Sequence, residues 1–473
     1  MQQLISLFTK YTGKANPAVE PLPSSGSNRR YYRLTKDNLS IIGVHGESRE
    51  ENRAFISLSR HFHQQQLNTP EVFAVSKDEI CYIQQDLGDD ILFDAIKEGR
   101  LTGVFSHEEK KLLHKTIALL ADFQVKGAQG LNFNVCYPLA KFNSRSVYWD
   151  LNYFKYNFLK TTGMDFQEDL LENDFEKLAD NLLQDQSDTF MYRDFQSRNV
   201  MLVNGNPWFI DFQGGRKGPI YYDVASFLWQ AKANFPEELR NELVQTYIES
   251  LGKYQQIDES AFLKQLRQFV LFRTLQVLGA YGFRGYFEKK PHFIQSVPFA
   301  LNNLRDLLKE DFEEYPYLNA ILKEMTELKQ FADTQKRELH VRLYSFAYKK
   351  GIPNDTSGNG GGYVFDCRAI NNPGKYERYS NVTGLDEPVI QFLEEDGEII
   401  EFLDNIYPLV DRHVKRYKER GFTDLMISFG CTGGQHRSVY AAQKTAEHIS
   451  EKFGIKVSLV HREQNLEQEL RKR

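Results

Sequence analysis

Cysteine, tryptophan and methionine are scarce in this chain of 473 residues, with four, three and six respectively. The cysteines, Cys81, Cys136, Cys367 and Cys431, are widely scattered and form no C-x-x-C pair. That argues against a disulfide framework and against a cysteine zinc site, and a reducing cytoplasm is the expected setting. No long uncharged apolar run is present either: the most apolar stretch, Phe269 to Phe283, is interrupted by Arg273 and Gln276 and reads as a buried helix, not a membrane span. The first residues, Met1 to Lys14, space Leu4, Ile5, Leu7 and Phe8 as a helix would, without the charged start and long apolar core of a signal peptide. A net charge of -5 gives no bulk electrostatic reason to expect nucleic acid.

The length exceeds what one hydrophobic core usually organises, so two or three domains are expected. From Arg29 to about Gly88 the pattern is strand-rich: strands at Arg30 to Thr35, Ser40 to Val44 and Ile80 to Gln85, with a helix from Glu50 to Gln66. Residues 90 to 330 read mainly as helices. Composition changes near 335, and beyond it strands and helices alternate: strands at Val341 to Ala347, Tyr363 to Arg368, Leu425 to Phe429 and Lys456 to His461, helices near Pro388 to Glu395, Gly397 to Arg420 and Ser438 to Phe453. The expected organisation is a first domain over 1–330 (small lobe about 15–88, large lobe about 89–330), a linker over 331–340 and a small α/β domain over 341–473.

The most informative segment runs from Met191 to Val203 and on to Trp208-Phe209-Ile210-Asp211-Phe212-Gln213. Asp194 and Asn199 sit five apart on a short loop entering a strand, and Asp211 follows the turn Asn204-Gly205-Asn206-Pro207 at the end of the next apolar run. This is a hairpin with three oxygen ligands at one end. A hydroxyl attacking a γ-phosphorus must lose a proton and meet charge-neutralised oxygens, which one unligated carboxylate and a metal-binding pair provide. Upstream, the small polar turn Ser24 to Arg29 lets backbone N–H groups approach phosphates, although a plain turn has the same composition.

Together with Gly218-Pro219-Ile220-Tyr221-Tyr222-Asp223, these features resemble the aminoglycoside phosphotransferase superfamily over about residues 15 to 325. Within it, Ser27-Asn28-Arg29-Arg30-Tyr31-Tyr32-Arg33, Gln84 to Asp89 and Arg193 to Asn199 look most like the anomeric kinases of N-acetylmuramate and N-acetylglucosamine. The resemblance implies a bilobal protein-kinase-like α+β fold with ATP and Mg2+ as cofactors. It implies Asp194 as base, Asn199 and Asp211 as metal ligands, and Asp223 as a brace of the catalytic loop. It further implies nucleotide contacts at Ser27, Asn28 and Arg30, and Gln84, Gln85, Asp86 and Leu87 as the hinge beside adenine. Tyr192 stands where a histidine commonly begins the loop. The strand Leu39 to Val44 offers no lysine for the phosphates; Arg30 or Arg33 can substitute, being permanently charged and able to fork onto phosphate, or can be solvated strand residues.

In the last domain, Gly430-Cys431-Thr432-Gly433-Gly434-Gln435-His436-Arg437-Ser438 joins a strand to a helix, so backbone N–H groups and a helix dipole converge as an anion site. Cys431-x5-Arg437 also matches the loop of cysteine-dependent phosphatases, but no general acid is assigned, and a buried structural cysteine is the preferred reading. This block, with Gly351-Ile352-Pro353, Val364 to Arg368, Asn372-Pro373, Thr383 to Asp386 and His461-Arg462, looks like the C-terminal domain of the RNase adapter protein RapZ. That resemblance implies a phosphosugar pocket with Arg368, Thr432, Gly433, Gly434, His436, Arg437, Ser438 and His461. Residues 340 to 473 hold 19 Lys and Arg against 19 Asp and Glu, so RNA binding through 412–420 or 471–473 is not favoured. The resulting expectation is a sugar kinase of amino-sugar or cell-wall recycling joined to a phosphosugar-sensing domain. Its rivals are a pseudokinase serving as metabolite or RNA adapter, and a kinase for another acceptor such as an aminoglycoside or choline-like amine, which would favour an acidic pocket.

Overall fold

The computed structural model describes every residue except 24–28, 186–187, 329–330, 332–338, 356, 358–360, 421 and 471–473. The phosphate-approaching turn with Ser27 and Asn28, most of the linker, most of the Gly-rich insertion 356–362 and the basic tail 471–473 thus lie outside the described residues. The chain divides into two compact units, 1–328 and 329–473.

The first unit begins with α1 (Gln2–Thr12), whose Leu4 and Phe8 bury against Leu34, Ile41, Cys81 and Ile83 of a five-stranded antiparallel sheet. That sheet comprises β1 (Ala18–Leu22), β2 (Arg30–Lys36), β3 (Leu39–His45), β4 (Val72–Val75) and β5 (Cys81–Gln85), in the order β1-β2-β3-β5-β4. Strands β1 and β4 were not expected from the sequence. Pro21 disguises β1, and it is tolerated because β1 is an edge strand paired on one side only. Helix α2 (Arg49–Gln64) is capped by Ser48, whose hydroxyl accepts from the Glu51 N–H at 3.3 Å, and it buries Phe55, Leu58 and Phe62.

Helices at His107–Lys126, Ser144–Asn157, Tyr221–Leu228, Glu237–Leu251 and Glu259–Gly282 follow, and His107–Lys126 packs against the hairpin. Its strands are β6 (Thr189–Met191), β7 (Val200–Val203), β8 (Asn206–Phe209) and β9 (Arg216–Gly218), with β7 pairing β8 and β6 pairing β9. Asn204 and Gly205, at φ 51° and 71°, make the tight two-residue turn. The segment expected as a buried helix lies in Glu259–Gly282, which packs against Ser144–Asn157 at backbone distance. A Cβ on Gly282 would lie 2.0 Å from the Asn157 carbonyl oxygen, and one on Gly279 would lie 2.7 Å from the Phe154 nitrogen.

The second unit is a mixed sheet of β10 (His340–Ala347), β11 (Tyr363–Asp366), β12 (Asp424–Cys431), β13 (Val457–His461) and β14 (Leu466–Leu470), ordered β11-β12-β10-β13-β14. All pairs are parallel except β13 with β14. Leu343, Ile427 and Phe429 form its core with Val410 of helix Glu398–Arg420 and Ile449 of helix Arg437–Phe453. The sequence reading did not place β14. Its exposed Glu467 and Glu469 alternate with partly buried positions, a charged edge whose pattern reads as a polar tail. Among the described residues no helix is long and apolar enough to cross a membrane.

The close approach at Gly282 yields a direct expectation. Gly282→Ala drives a methyl into backbone that cannot rotate away, so urea unfolding should show a loss of about 1–3 kcal/mol, whereas unchanged stability would mean the two helices do not meet there.

Candidate functional site

The hairpin brings the three oxygen-bearing residues together. A short 3-10 turn, Ser197–Asn199, follows the Asp194 loop, and the Asn199 amide donates to the Asp194 carbonyl at 2.8 Å and to Asp211 Oδ2 at 3.4 Å. The Gln213 amide donates to Asp211 Oδ1 at 2.7 Å. Burial, and then the charge of Asp194, raise the Asp211 pKa, with the Gln213 bond opposing. Two carboxylates crowded in this way favour a cation. Asp211 and Asn199 offer carboxylate and amide oxygens, the donor chemistry of Mg2+. Among the described residues no cluster of three or more His, Cys, Asp or Glu side chains forms a metal site.

Asp194 is held from behind. Asp223, fully buried in the first turn of Tyr221–Leu228, accepts from the backbone N–H of Tyr192 at 2.7 Å and of Arg193 at 2.8 Å. Gln124 adds a third donor at 2.9 Å and is itself held by the Tyr247 hydroxyl at 2.5 Å. Burial pushes the Asp223 carboxyl up to about 7, with the two backbone donors and Gln124 opposing that rise. Arg193 is at φ 77° and Asp211 at φ 68°, both costly for residues with a side chain. Asp223 holds the first in place. Tyr192 packs among Phe123, Phe195, Phe209 and Phe212, and its hydroxyl donates to the Ile210 carbonyl, joining the loop to the segment carrying Asp211.

The arginine candidates of the small lobe separate. Arg30 is exposed. Arg33 is committed to Asp86 and Asp89, at 2.8 Å each, and Asp86 also accepts from Ser40 at 2.5 Å and from the Gly88 N–H at 3.0 Å. In the segment expected as the hinge beside adenine, the Asp86 carboxylate thus fastens the end of the sheet. Gln84 is buried and Gln85 accepts from the Glu71 N–H at 3.4 Å, so Gln84, Gln85 and Leu87 form a segment leading out of β5. The residue missed is Arg29. It is 2 % exposed, its guanidinium lies 3.6 Å from the Glu51 carboxylate of α2, and its charge opposes the rise at Asp211. Burial is the one influence that lowers its pKa, and Tyr82, Tyr31 and Glu51 outweigh it.

In the second unit the Gly-rich turn sits at the carboxyl end of β12, beside the ends of β10 and β13, where ligands of parallel sheets bind. Thr432 and Gly433 are exposed at its tip. Gly434 is buried at φ 67°, and a Cβ there would lie 2.8 Å from the Ala347 nitrogen. Three candidates have side chains that brace the scaffold. Arg437 donates to the carbonyls of Arg368 at 2.9 Å and Ile370 at 2.7 Å, and the His436 ring meets the Tyr379 carbonyl at 3.0 Å. The wholly buried His461 is bonded to Ser345 at 2.9 Å and Gln443 at 3.2 Å. Burial depresses the His461 pKa to about 4, so the ring is neutral near pH 7. Arg368 is exposed, paired with Asp366 at 2.6 Å, over the Tyr348 ring. Cys431 is 3 % exposed, its sulfur 3.1 Å from the Ser438 hydroxyl and accepting from the Gly434 N–H at 3.2 Å. The thiol is buried and bonded within the turn.

Comparison with known proteins decides the family. The model of the phosphotransferase enzyme family matches residues 18–259, just over half of the chain. The chain belongs to the phosphotransferase enzyme family. The model of the RapZ C-terminal domain matches residues 339–465. Similar proteins include nucleotide-binding proteins of Xylella fastidiosa (strain M12), 36% identical over 134 residues, and of Petrotoga mobilis, 40% identical over 134. These matches cover 28% of this chain and 44% and 45% of those proteins, so the chain spans less than half the length of the curated relatives it matches. Among solved structures, choline kinase from Cryptosporidium parvum Iowa II aligns at TM-score 0.48 and 13% identity, covering 68% of this chain and 99% of that one. An amicoumacin kinase in complex with AMP-PNP, Ca2+ and Ami aligns at 0.43 and 13%, covering 65% and 87%.

For this phosphotransferase the loop brace is testable. Asp223→Asn leaves one of two buried N–H groups without an acceptor, so stability should fall by about 1–3 kcal/mol and turnover should fall with it. Wild-type stability and turnover in the variant would remove Asp223 from the account. His461 gives a second expectation, with a definite sign. The unfolded chain takes up its proton near the ordinary 6.5 and the folded unit only near 4, so stability falls as pH drops from about 6.5 toward 4. NMR titration of the ring should find a midpoint near 4; one at 6.5 or above would mean the ring is not sealed in the sheet.

Proposed function

We propose that the first unit transfers the γ-phosphoryl group of ATP to the anomeric hydroxyl of N-acetylmuramate or N-acetylglucosamine, in cytoplasmic cell-wall amino-sugar recycling. The meeting of Asp194 with Asp211 and Asn199 at one hairpin end carries the phosphotransfer reading, and the motif resemblance supports the sugar. In this reading the acceptor oxygen bonds to the γ-phosphorus as the bond to the β,γ-bridging oxygen breaks, ADP departs, and Asp194 takes the hydroxyl proton. Asn199 and Asp211 would hold Mg2+, which when bound supplies neutralisation of the phosphate oxygens. Arg29, steadied by Glu51, takes the place of the absent β3 lysine beside the phosphates. Its fixed charge cannot be lost by deprotonation. Gln84 to Leu87 supply backbone groups to adenine.

The second unit, in the same proposal, holds a phosphosugar on the backbone N–H groups of Thr432, Gly433 and Gln435 and the start of helix Arg437–Phe453. The inward commitments of His436, Arg437 and His461 support a site made of main chain, its shape kept by those side chains. A neutral charge balance supports a small anion over RNA.

Turnover followed by phosphorus NMR tests the first part. Asp194→Ala should lower kcat by about 10²–10⁴-fold while ATP binding persists, and Arg29→Ala should raise the KM for ATP, with Arg29→Lys restoring part of it. The product should be acid-labile and non-reducing. Undiminished turnover in Asp194→Ala, or a product that still reduces alkaline ferricyanide, would overturn the assignment.

A further inference from the structure

Among the described residues, Asp194 is the one carboxylate lining a cleft of about 260 Å³ whose lining also holds basic, aromatic and neutral polar side chains. Arg198 enters it from the catalytic loop, Lys232 from the connection after Tyr221–Leu228, and Arg284 and His292 from beyond the end of Glu259–Gly282. Three separate stretches of chain thus bring four basic side chains to one cleft. Among the described residues, none of the four has an ion pair with a carboxylate. Arg284 has Glu288 nearby, but that carboxylate is held by Lys290 at 2.7 Å. A further cation, Arg273, is turned to Ser226 at 3.1 Å and to Gln276.

The cost of this crowding shows in the side chains themselves. Burial and then the charges of Arg198 and Arg100 lower the Lys232 pKa. Burial and then Lys232 and Arg198 lower that of His292. Like charges brought together without a counter-charge are destabilising, and a ligand that supplies one relieves them. Phe93, with the Arg198 guanidinium over its ring at 4.7 Å and that of Arg100 at 3.3 Å, and Trp229 add aromatic lining to the cleft.

We infer that the acceptor of this phosphotransferase is an anion: a sugar-sized alcohol bearing a carboxylate or a phosphate ester, its charge bound by Arg198, Lys232 and Arg284, with the His292 ring beside them, while its reacting hydroxyl faces Asp194. The inference rests on the kinase reading and narrows it, since a neutral amino sugar leaves the basic wall uncompensated and a choline-like or aminoglycoside cation is repelled by it. A cationic substrate would need an acidic wall.

Equilibrium binding to the full chain, with a non-hydrolysable ATP analogue present, tests this. N-acetylmuramate should bind at least tenfold more tightly than N-acetylglucosamine, about 1.4 kcal/mol, and choline should bind least. N-acetylglucosamine 6-phosphate, as a second arm, distinguishes a phosphate from a carboxylate as the charge that is read. The preference for the acid should shrink with added salt, and in Lys232→Gln/Arg284→Gln it should narrow to about threefold or less, with the thermal melt as control for folding. Equal or tighter binding of the neutral sugar or choline, no binding of either acidic sugar, or a full preference in the double variant would overturn the inference. ADP release separates the two readings. Acidic sugars bound with this preference but never phosphorylated sink the kinase reading and leave the anionic cleft, while turnover that favours the neutral sugar does the reverse.

Discussion

A buried carboxylate holding a strained loop is the constraint on which the first unit depends. Asp223 is cut off from water, accepts the N–H groups of two successive residues and anchors Arg193 in a backbone conformation that a side chain disfavours. Without that acceptor the loop has no reason to keep Asp194 turned toward the cleft. The brace extends outward through Gln124 to Tyr247, so two helices far apart in sequence share the task of placing one side chain. Around it, stacked and edge-on rings from Phe55 to Phe212 exclude water, which strengthens every charge interaction inside.

On this frame the charges divide. Asp211 and Asp194 repel across a short distance, while Arg29 supplies fixed positive charge from the side of the sheet. Arg216, wholly buried with its guanidinium on the Gly214 carbonyl, and Asp150, 3.5 Å from Arg193, complete a charged layer behind the loop. Burial pushes the Arg216 pKa down to about 10 and raises that of Asp150. Such a layer is set for a reaction in which negative charge is concentrated at phosphate oxygens and relieved by cations.

The second unit solves a related problem with different means. Its candidate site is main chain at the mouth of a parallel sheet, and its conspicuous polar side chains support that main chain from inside. Glu463 accepts from the Ala347 N–H at 3.2 Å and Gln464 donates to the Gly434 carbonyl at 3.0 Å, so residues after β13 hold the turn after β12. A turn shaped in this way would meet the proposed anion with little left to reorganise.

Much of this was written in the chain. Spacing placed Asp194, Asn199 and Asp211 at one hairpin end, since a two-residue turn at Asn204-Gly205 forces its strands into register; periodicity located most strands and the helices outside 90–330, where it gave only helical character. What sequence could not show is where long side chains end. Arg29, Arg30 and Arg33 are near neighbours on one stretch of chain, yet one is buried beside Glu51, one faces solvent and one is tied to Asp86. The difference comes from partners on α2 and after β5, which no local pattern encodes. Likewise His461 and Arg437 read as ligands by type, and only packing turned them inward. The basic wall of the cleft was invisible because Arg198, Lys232, Arg284 and His292 share no motif. Local rules act over a few residues, whereas charge compensation and burial are settled by whichever distant segments the fold brings within a few ångströms.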